Sequence, residues 1–155
     1  MANLDDLYRE IILDHYRSPR NRGELAPPAQ RTEGFNPLCG DEIVVYALVE
    51  NGVLSDIKLT GHGCSISQSS SSLMSSAVKG KTLEQVRETI ATFKELMTAP
   101  EGTSDDAVEN SSSDVNLRRL GELAALAGVV KFPVRIKCAT LAWNTLTQAL
   151  DEISA

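Results

Sequence analysis

Cysteine is scarce in this chain, with three among 155 residues. An odd count in a sequence with no secretory mark argues against a disulfide framework. Cations are in deficit as well: 15 lysines and arginines face 21 aspartates and glutamates, a formal net charge of −6. That balance argues against general binding to nucleic acid or to anionic membranes, both of which are gripped by basic surface. No apolar run approaches the roughly 20 residues that a membrane-spanning helix needs. The opening Met1-Ala2-Asn3-Leu4-Asp5-Asp6 lacks the basic start of a secretory signal. The expectation is a cytoplasmic protein with no nucleic-acid or membrane partner. A Gly-X-Ser-X-Gly elbow is missing too, so the serines crowded between Cys64 and Val78 are not read as nucleophiles. At 42% hydrophobic residues the chain can bury one good core, and 1–155 is expected to form a single domain.

The few cysteines stand in distinctive settings: Asn36-Pro37-Leu38-Cys39-Gly40-Asp41, Gly61-His62-Gly63-Cys64-Ser65-Ile66-Ser67 and Arg135-Ile136-Lys137-Cys138-Ala139-Thr140-Leu141. Gly40 allows a turn tight enough for Cys39 and Asp41 to approach one point from a short loop. Cys64 follows a Gly-X-Gly turn and opens a helix, where free N–H groups and the macrodipole favour a thiolate. Cys138 has Lys137 beside it and Arg135 three residues earlier, cations that would offset the charge of three thiolates and a carboxylate. All three sulfurs are expected to be exposed and activated. With Asp41 they make four donors, the set that Zn²⁺ or one face of a small iron–sulfur cluster requires. The competing reading, three unrelated core cysteines, fits poorly with Gly- and Pro-punctuated turns.

Leu4, Leu7, Tyr8, Ile11, Ile12 and His15 recur at helical spacing, so residues 3–17 read as an amphipathic helix stopped by Ser18-Pro19. After a turn-rich stretch with Gly23 and Pro27-Pro28, Glu42–Glu50 and Val53–Thr60 alternate as strands around Asn51-Gly52, a strong hairpin signal. Antiparallel pairing brings Cys39 and Asp41, before the first strand, next to Cys64, after the second. Ile66, Leu73, Ala77 and Val78 keep a helical face through the serines. Thr82 and Gln85 make a capping box before Leu83, Val86, Ile90, Phe93 and Met97. Residues 99–114 are acidic, small and aperiodic, and read as a flexible loop. Leu117, Leu120, Ala124 and Ala127 suggest a short helix closed by Gly128. Ala139, Ala142, Trp143, Leu146, Leu150 and Ile153 give the last helix, with Cys138 at its start. Among the remaining candidates, His15 is read as packing or capping, His62 as an exposed turn residue able to approach a metal, and Trp143 as core. The basic run Ser18–Gly23 is a solvated turn, with a docking patch as the alternative.

Over nearly its whole length the chain resembles the IscU/NifU-like family of iron–sulfur assembly proteins, and most closely the SufU branch. The resemblance is carried by Leu7-Tyr8-Arg9, Asp14-His15-Tyr16, Pro19-Arg20-Asn21-Arg22-Gly23, the three cysteine segments above, and Phe132-Pro133-Val134 leading into Arg135 through Trp143. Lys137 stands where IscU scaffolds carry a histidine, and an added segment lies between the second and third cysteines, two features of the SufU branch. The resemblance implies an α+β fold, a small antiparallel sheet of about three strands packed against helices. It implies Zn²⁺ on Cys39, Asp41, Cys64 and Cys138. It also implies that Cys39 accepts sulfur, as a persulfide, from a SufS-type cysteine desulfurase and passes it to downstream Suf assembly proteins. Arg135 and Lys137, by their charge, are read as supporting groups that would stabilise the anionic sulfur. Lys131-Phe132-Pro133-Val134-Arg135 departs from the chaperone-binding segment of IscU scaffolds.

Three functions compete: a zinc-dependent sulfur acceptor, a scaffold for an iron–sulfur cluster, and a binding protein whose zinc is only structural. The same thiolates suit zinc and cluster alike. Lys137, in place of an imidazole, tilts the choice toward zinc. A structural site would be closed by four strong ligands, whereas Asp41 on a glycine-flanked loop reads as exchangeable.

Overall fold

A computed structural model of the chain describes residues 4–37, 40–98, 123, 125–127, 129 and 132–154. Cys39, the acidic segment 99–114 and most of the short helix expected around 117–128 lie outside the described residues. In chain order the elements are α1 (Leu4–Arg17), β1 (Gln30–Asn36), β2 (Asp41–Glu50), β3 (Val53–His62), α2 (Ser65–Val78), α3 (Leu83–Thr98) and α4 (Pro133–Ser154). The strands form one antiparallel sheet in the order β1-β2-β3, and the fold is α+β.

The β2–β3 hairpin closes at Asn51-Gly52, with φ of 54° and 76°. Positive φ at both residues is the type I′ turn whose twist matches the flanking strands. A bulge between Leu48 and Val49 follows, and beyond it the register runs evenly to Glu42↔His62. The expected Gly-X-Gly turn is therefore partly strand, because β3 continues through Gly61 and His62. Gly61 has φ of +127°, and a Cβ there would sit 2.2 Å from the Glu42 carbonyl oxygen, so this position tolerates only glycine.

One sheet face carries Ile43, Val45, Ala47, Leu54, Ile57 and Leu59 into a core shared with Leu73 and Met74 of α2, Phe93 of α3, and Trp143 and Leu146 of α4. Phe93 and Trp143 stack at 4.2 Å between ring centroids. The α3 capping box forms reciprocally, Thr82 N–H to Gln85 Oε1 at 3.1 Å and Gln85 N–H to Thr82 Oγ1 at 3.2 Å. Serine lets α2 sit close to two other helices. Ser70 Oγ donates to the Ala139 carbonyl at 2.5 Å and accepts from Trp143 Nε1 at 3.0 Å. Ser72 Oγ accepts from the Arg20 N–H and partners His15 Nδ1, each at 2.8 Å. His15 is thus a packed, buried residue. The basic run is structural rather than free: Leu59 N–H donates to the Asn21 carbonyl, and Arg22 Nη2 donates to the Gly61 carbonyl.

The last helix begins five residues before Cys138, with proline at its first position, where the missing N–H costs nothing. This corrects the expected start. Cys138 belongs to the second turn, past the free N–H groups, so it does not share the helix-terminal setting of Cys64.

Candidate metal centre

Three elements converge at one end of the sheet. Asp41 opens β2, Cys64 precedes α2, and Cys138 comes from α4; their donor atoms all lie within 4.8 Å of one another. Each is placed by its local structure. Asn36↔Asp41 is the terminal pair of the β1–β2 ladder, and the Glu42↔His62 pair carries the chain directly to Gly63 and Cys64. Cys64 is the N-cap of α2, with extended φ and ψ of −70° and 170°, and its sulfur accepts from the Ser67 N–H at 3.4 Å. Burial on α4 sets Cys138 on the face that meets α2 and the sheet.

Asp41 is fully buried, and a buried carboxylate demands hydrogen-bond donors. Oδ1 accepts the Cys64 N–H at 2.8 Å, and Oδ2 accepts Asn36 Nδ2 at 3.3 Å. The carboxylate therefore lies at the amino end of α2, where the helix dipole also favours negative charge. Gly63 makes the approach feasible. A Cβ there would meet Asp41 Oδ1 at 2.4 Å. Oδ2 lies 3.9 Å from Cys64 Sγ, near the roughly 3.5 Å that separates sulfur and oxygen in a zinc tetrahedron with bonds of about 2.3 and 2.0 Å. Two thiolates and one carboxylate, spaced in this way, fit Zn²⁺ and leave a position for one further donor. Cys39, the fourth expected ligand, lies outside the described residues; Asn36 and Asp41, which bracket it in the chain, both reach the site.

Expectation and structure part on exposure. Cys138 is 1% exposed, whereas Cys64 is half-buried, so of these two described cysteines only Cys64 approaches the expected exposure. Arg135 Nη1 stands 3.9 Å from Cys138 Sγ, the i to i+3 relation on a helix. Lys137 is exposed and makes no hydrogen bond or ion pair with the donors among the described residues. His62 is 73% exposed and pairs with Glu42 at 3.0 Å, outside the donor group. Asn36 was not singled out from sequence, because an asparagine ahead of Pro37 reads simply as a turn residue.

Comparison with known proteins places this geometry in a lineage. The model of the NifU-like N-terminal domain matches residues 7–139. The chain belongs to that family. It is 41% identical over 149 residues to the zinc-dependent sulfurtransferase SufU of Bacillus subtilis, covering 96% of this chain and 92% of the relative. It is 36% identical over 150 residues to the iron–sulfur cluster assembly scaffold protein IscU of Streptococcus pyogenes, covering 97% and 86%. Among solved structures, a Fervidobacterium islandicum protein assigned as a cluster-assembly scaffold for the SUF system superposes with a TM-score of 0.79 at 30% identity, over 96% of this chain and 99% of that one. No helix among the described residues is long and apolar enough to cross a membrane.

Proposed function

We propose that this protein is a zinc-dependent sulfur acceptor that takes persulfide sulfur from a SufS-type cysteine desulfurase and hands it to downstream Suf proteins for iron–sulfur cluster assembly. The observation that carries the reading is the convergence of Asp41, Cys64 and Cys138 with their donor atoms within 4.8 Å of one another, in a chain 41% identical to a zinc-dependent sulfurtransferase. Asp41, Cys64 and Cys138 would hold the zinc together with Cys39. Bound zinc supplies positive charge that keeps the sulfurs ionised at neutral pH.

The chain's own chemistry is assigned to Cys39. Its thiolate attacks the outer sulfur of the desulfurase persulfide; a Cys39–sulfur bond forms, the donor's sulfur–sulfur bond breaks, and the donor cysteine leaves as a thiolate. Arg135, whose Nη1 lies 3.9 Å from Cys138 Sγ, would stabilise anionic sulfur at this end of the molecule, and Lys137 would add cationic surface. Phe35, Phe132 and Val134 are 59, 61 and 62% exposed on segments that lead into Asn36 and Cys138, and exposed apolar side chains of this kind suit a protein partner.

Mass spectrometry after incubation with desulfurase and cysteine tests the reading. One added sulfur is expected on the Cys39 peptide, and Cys39→Ala is expected to abolish stimulation of the desulfurase while keeping the fold. Sulfur found reproducibly on the Cys138 peptide would reject the assignment. The scaffold reading draws on the S. pyogenes relative and the sulfur-rich donors; a stable, stoichiometric brown cluster on the unaltered protein after anaerobic reconstitution would favour it.

A further inference from the structure

Two donors of the site share one neutral neighbour. Asn36, the last residue of β1, is 5% exposed. Its amide nitrogen lies 3.3 Å from Asp41 Oδ2 and 3.7 Å from Cys138 Sγ. A primary amide nitrogen carries two hydrogens, so one group donates to both acceptors at once. Charge settles its orientation, because the reverse rotamer would aim a carbonyl oxygen at a carboxylate and a sulfur. Oδ1 of Asp41 is already engaged by the Cys64 N–H at 2.8 Å, which leaves Oδ2 as the oxygen facing the sulfurs. Asn36 therefore touches one oxygen and one sulfur of the donor set, from the strand paired with β2 through Asn36↔Asp41.

We propose that Asn36 is a positioning residue of the metal centre, holding Asp41 Oδ2 and Cys138 Sγ at donor spacing before metal binds and tempering the Cys138 thiolate as a donor afterwards. Three ionisable groups within 4.8 Å of one another repel when charged, and in a desolvated site salt screens that repulsion little. N–H donors directed at each anion offset it. An asparagine does this without adding charge, so the site keeps its full attraction for a divalent cation. Partners outside the ligand shell are known to orient ligands and tune their strength. The inference rests on the metal-binding part of the proposed function and is independent of sulfur transfer.

Full-length Asn36→Ala and Asn36→Ser proteins provide the test, with two readouts. Competition against a chromophoric chelator should show the zinc Kd rising roughly ten- to hundredfold. In the cobalt(II)-loaded forms, sulfur-to-metal charge-transfer bands should move to longer wavelength, because a sulfur that loses a hydrogen bond gives up its electrons more readily. Ser70→Ala, which removes a buried hydroxyl bonded to Ala139 and Trp143 of the helix that carries Cys138, is the packing comparison: its melting temperature should drop while its cobalt bands stay in place. If the alanine variant does not fold, the serine variant is read alone. A zinc Kd within about threefold of the parent in a folded Asn36 variant, or superimposable cobalt bands, overturns the inference. Failure of the parent itself to bind zinc or cobalt would reject the metal reading beneath it.

Discussion

Gly63→Ala alters no donor and yet should disturb the metal centre. The backbone of Gly63 lies outside the left-handed region, so alanine meets no conformational penalty there. Its Cβ would instead fall 2.4 Å from Asp41 Oδ1, 3.0 Å from Cγ and 3.1 Å from Cβ. Two responses are open to the protein. Asp41 stays, and the overpacking costs about 1–3 kcal/mol; or the carboxylate swings away, and the charged hydrogen bond from the Cys64 N–H is lost, at about 1.5–3 kcal/mol. The protein takes the cheaper route, so the cost is about 2 kcal/mol rather than the sum. For a chain of this size that is a fall of roughly 4–8 °C in melting temperature. The decisive assay is a double-mutant cycle, run by denaturant unfolding in chelator so that metal does not contribute. In an Asp41→Ala background the two shortest contacts disappear, and the remaining 3.1 Å contact to Cβ is relieved by a small shift. Gly63→Ala should then cost under about 0.5 kcal/mol, a coupling near 1.5 kcal/mol. Additivity within about 0.5 kcal/mol would refute the argument that Gly63 is small in order to admit the Asp41 carboxylate.

Cys64→Ser separates two roles of one residue: serine is a good N-cap and can accept the Ser67 N–H in place of sulfur, but it is a poor zinc ligand. The metal-free melting temperature should hold within a few degrees, while the rise on adding zinc disappears; an undiminished zinc-dependent rise would contradict the site. At the surface, the Arg20 guanidinium, 2.6 Å from Asp14 Oδ2, holds that carboxyl below its ordinary range through a hydrogen bond and its charge. A depressed native value means that the pair stabilises above about pH 4 and that this contribution is lost on acidification. Asp14→Asn should therefore lose less stability than the parent between about pH 5 and 3, and parallel acid curves would contradict this. The effect is small, since Asp14 and Arg20 are both well exposed.

Elements with a strong local code were readable from sequence. The β2–β3 hairpin followed from Asn51-Gly52, the start of α2 from the glycine-flanked Cys64, and the start of α3 from Thr82 and Gln85. β1 could not be placed, for a physical reason. Its inward positions are Thr32, Gly34 and Asn36, which leave no apolar alternation. Gly34 is required by tertiary packing alone: a Cβ there would collide with Thr145 Oγ1 of α4. The start of α4 is not legible in the sequence because its apolar face begins near Cys138, while Phe132, just before the helix, and Val134, in its first turn, are exposed. The burial of Cys138 and the position of Asn36 both depend on that unplaced strand, so the donors were legible as a set while their surroundings were not.

Those surroundings explain why the site can exist without collapsing the fold or being closed by it. Each of the three described donors has a role that precedes metal. Cys64 caps α2, Asp41 accepts the N–H of that same cap, and Cys138 receives the Asn36 amide beside a guanidinium. Asp41, Cys64 and Cys138 are therefore held by hydrogen bonds that the protein makes on its own. That arrangement differs from a small zinc-folded module, in which binding free energy and folding free energy are one quantity. A centre built on a self-sufficient fold can loosen one ligand without unfolding. The role proposed for Cys39, holding a metal and accepting sulfur in turn, would draw on that freedom.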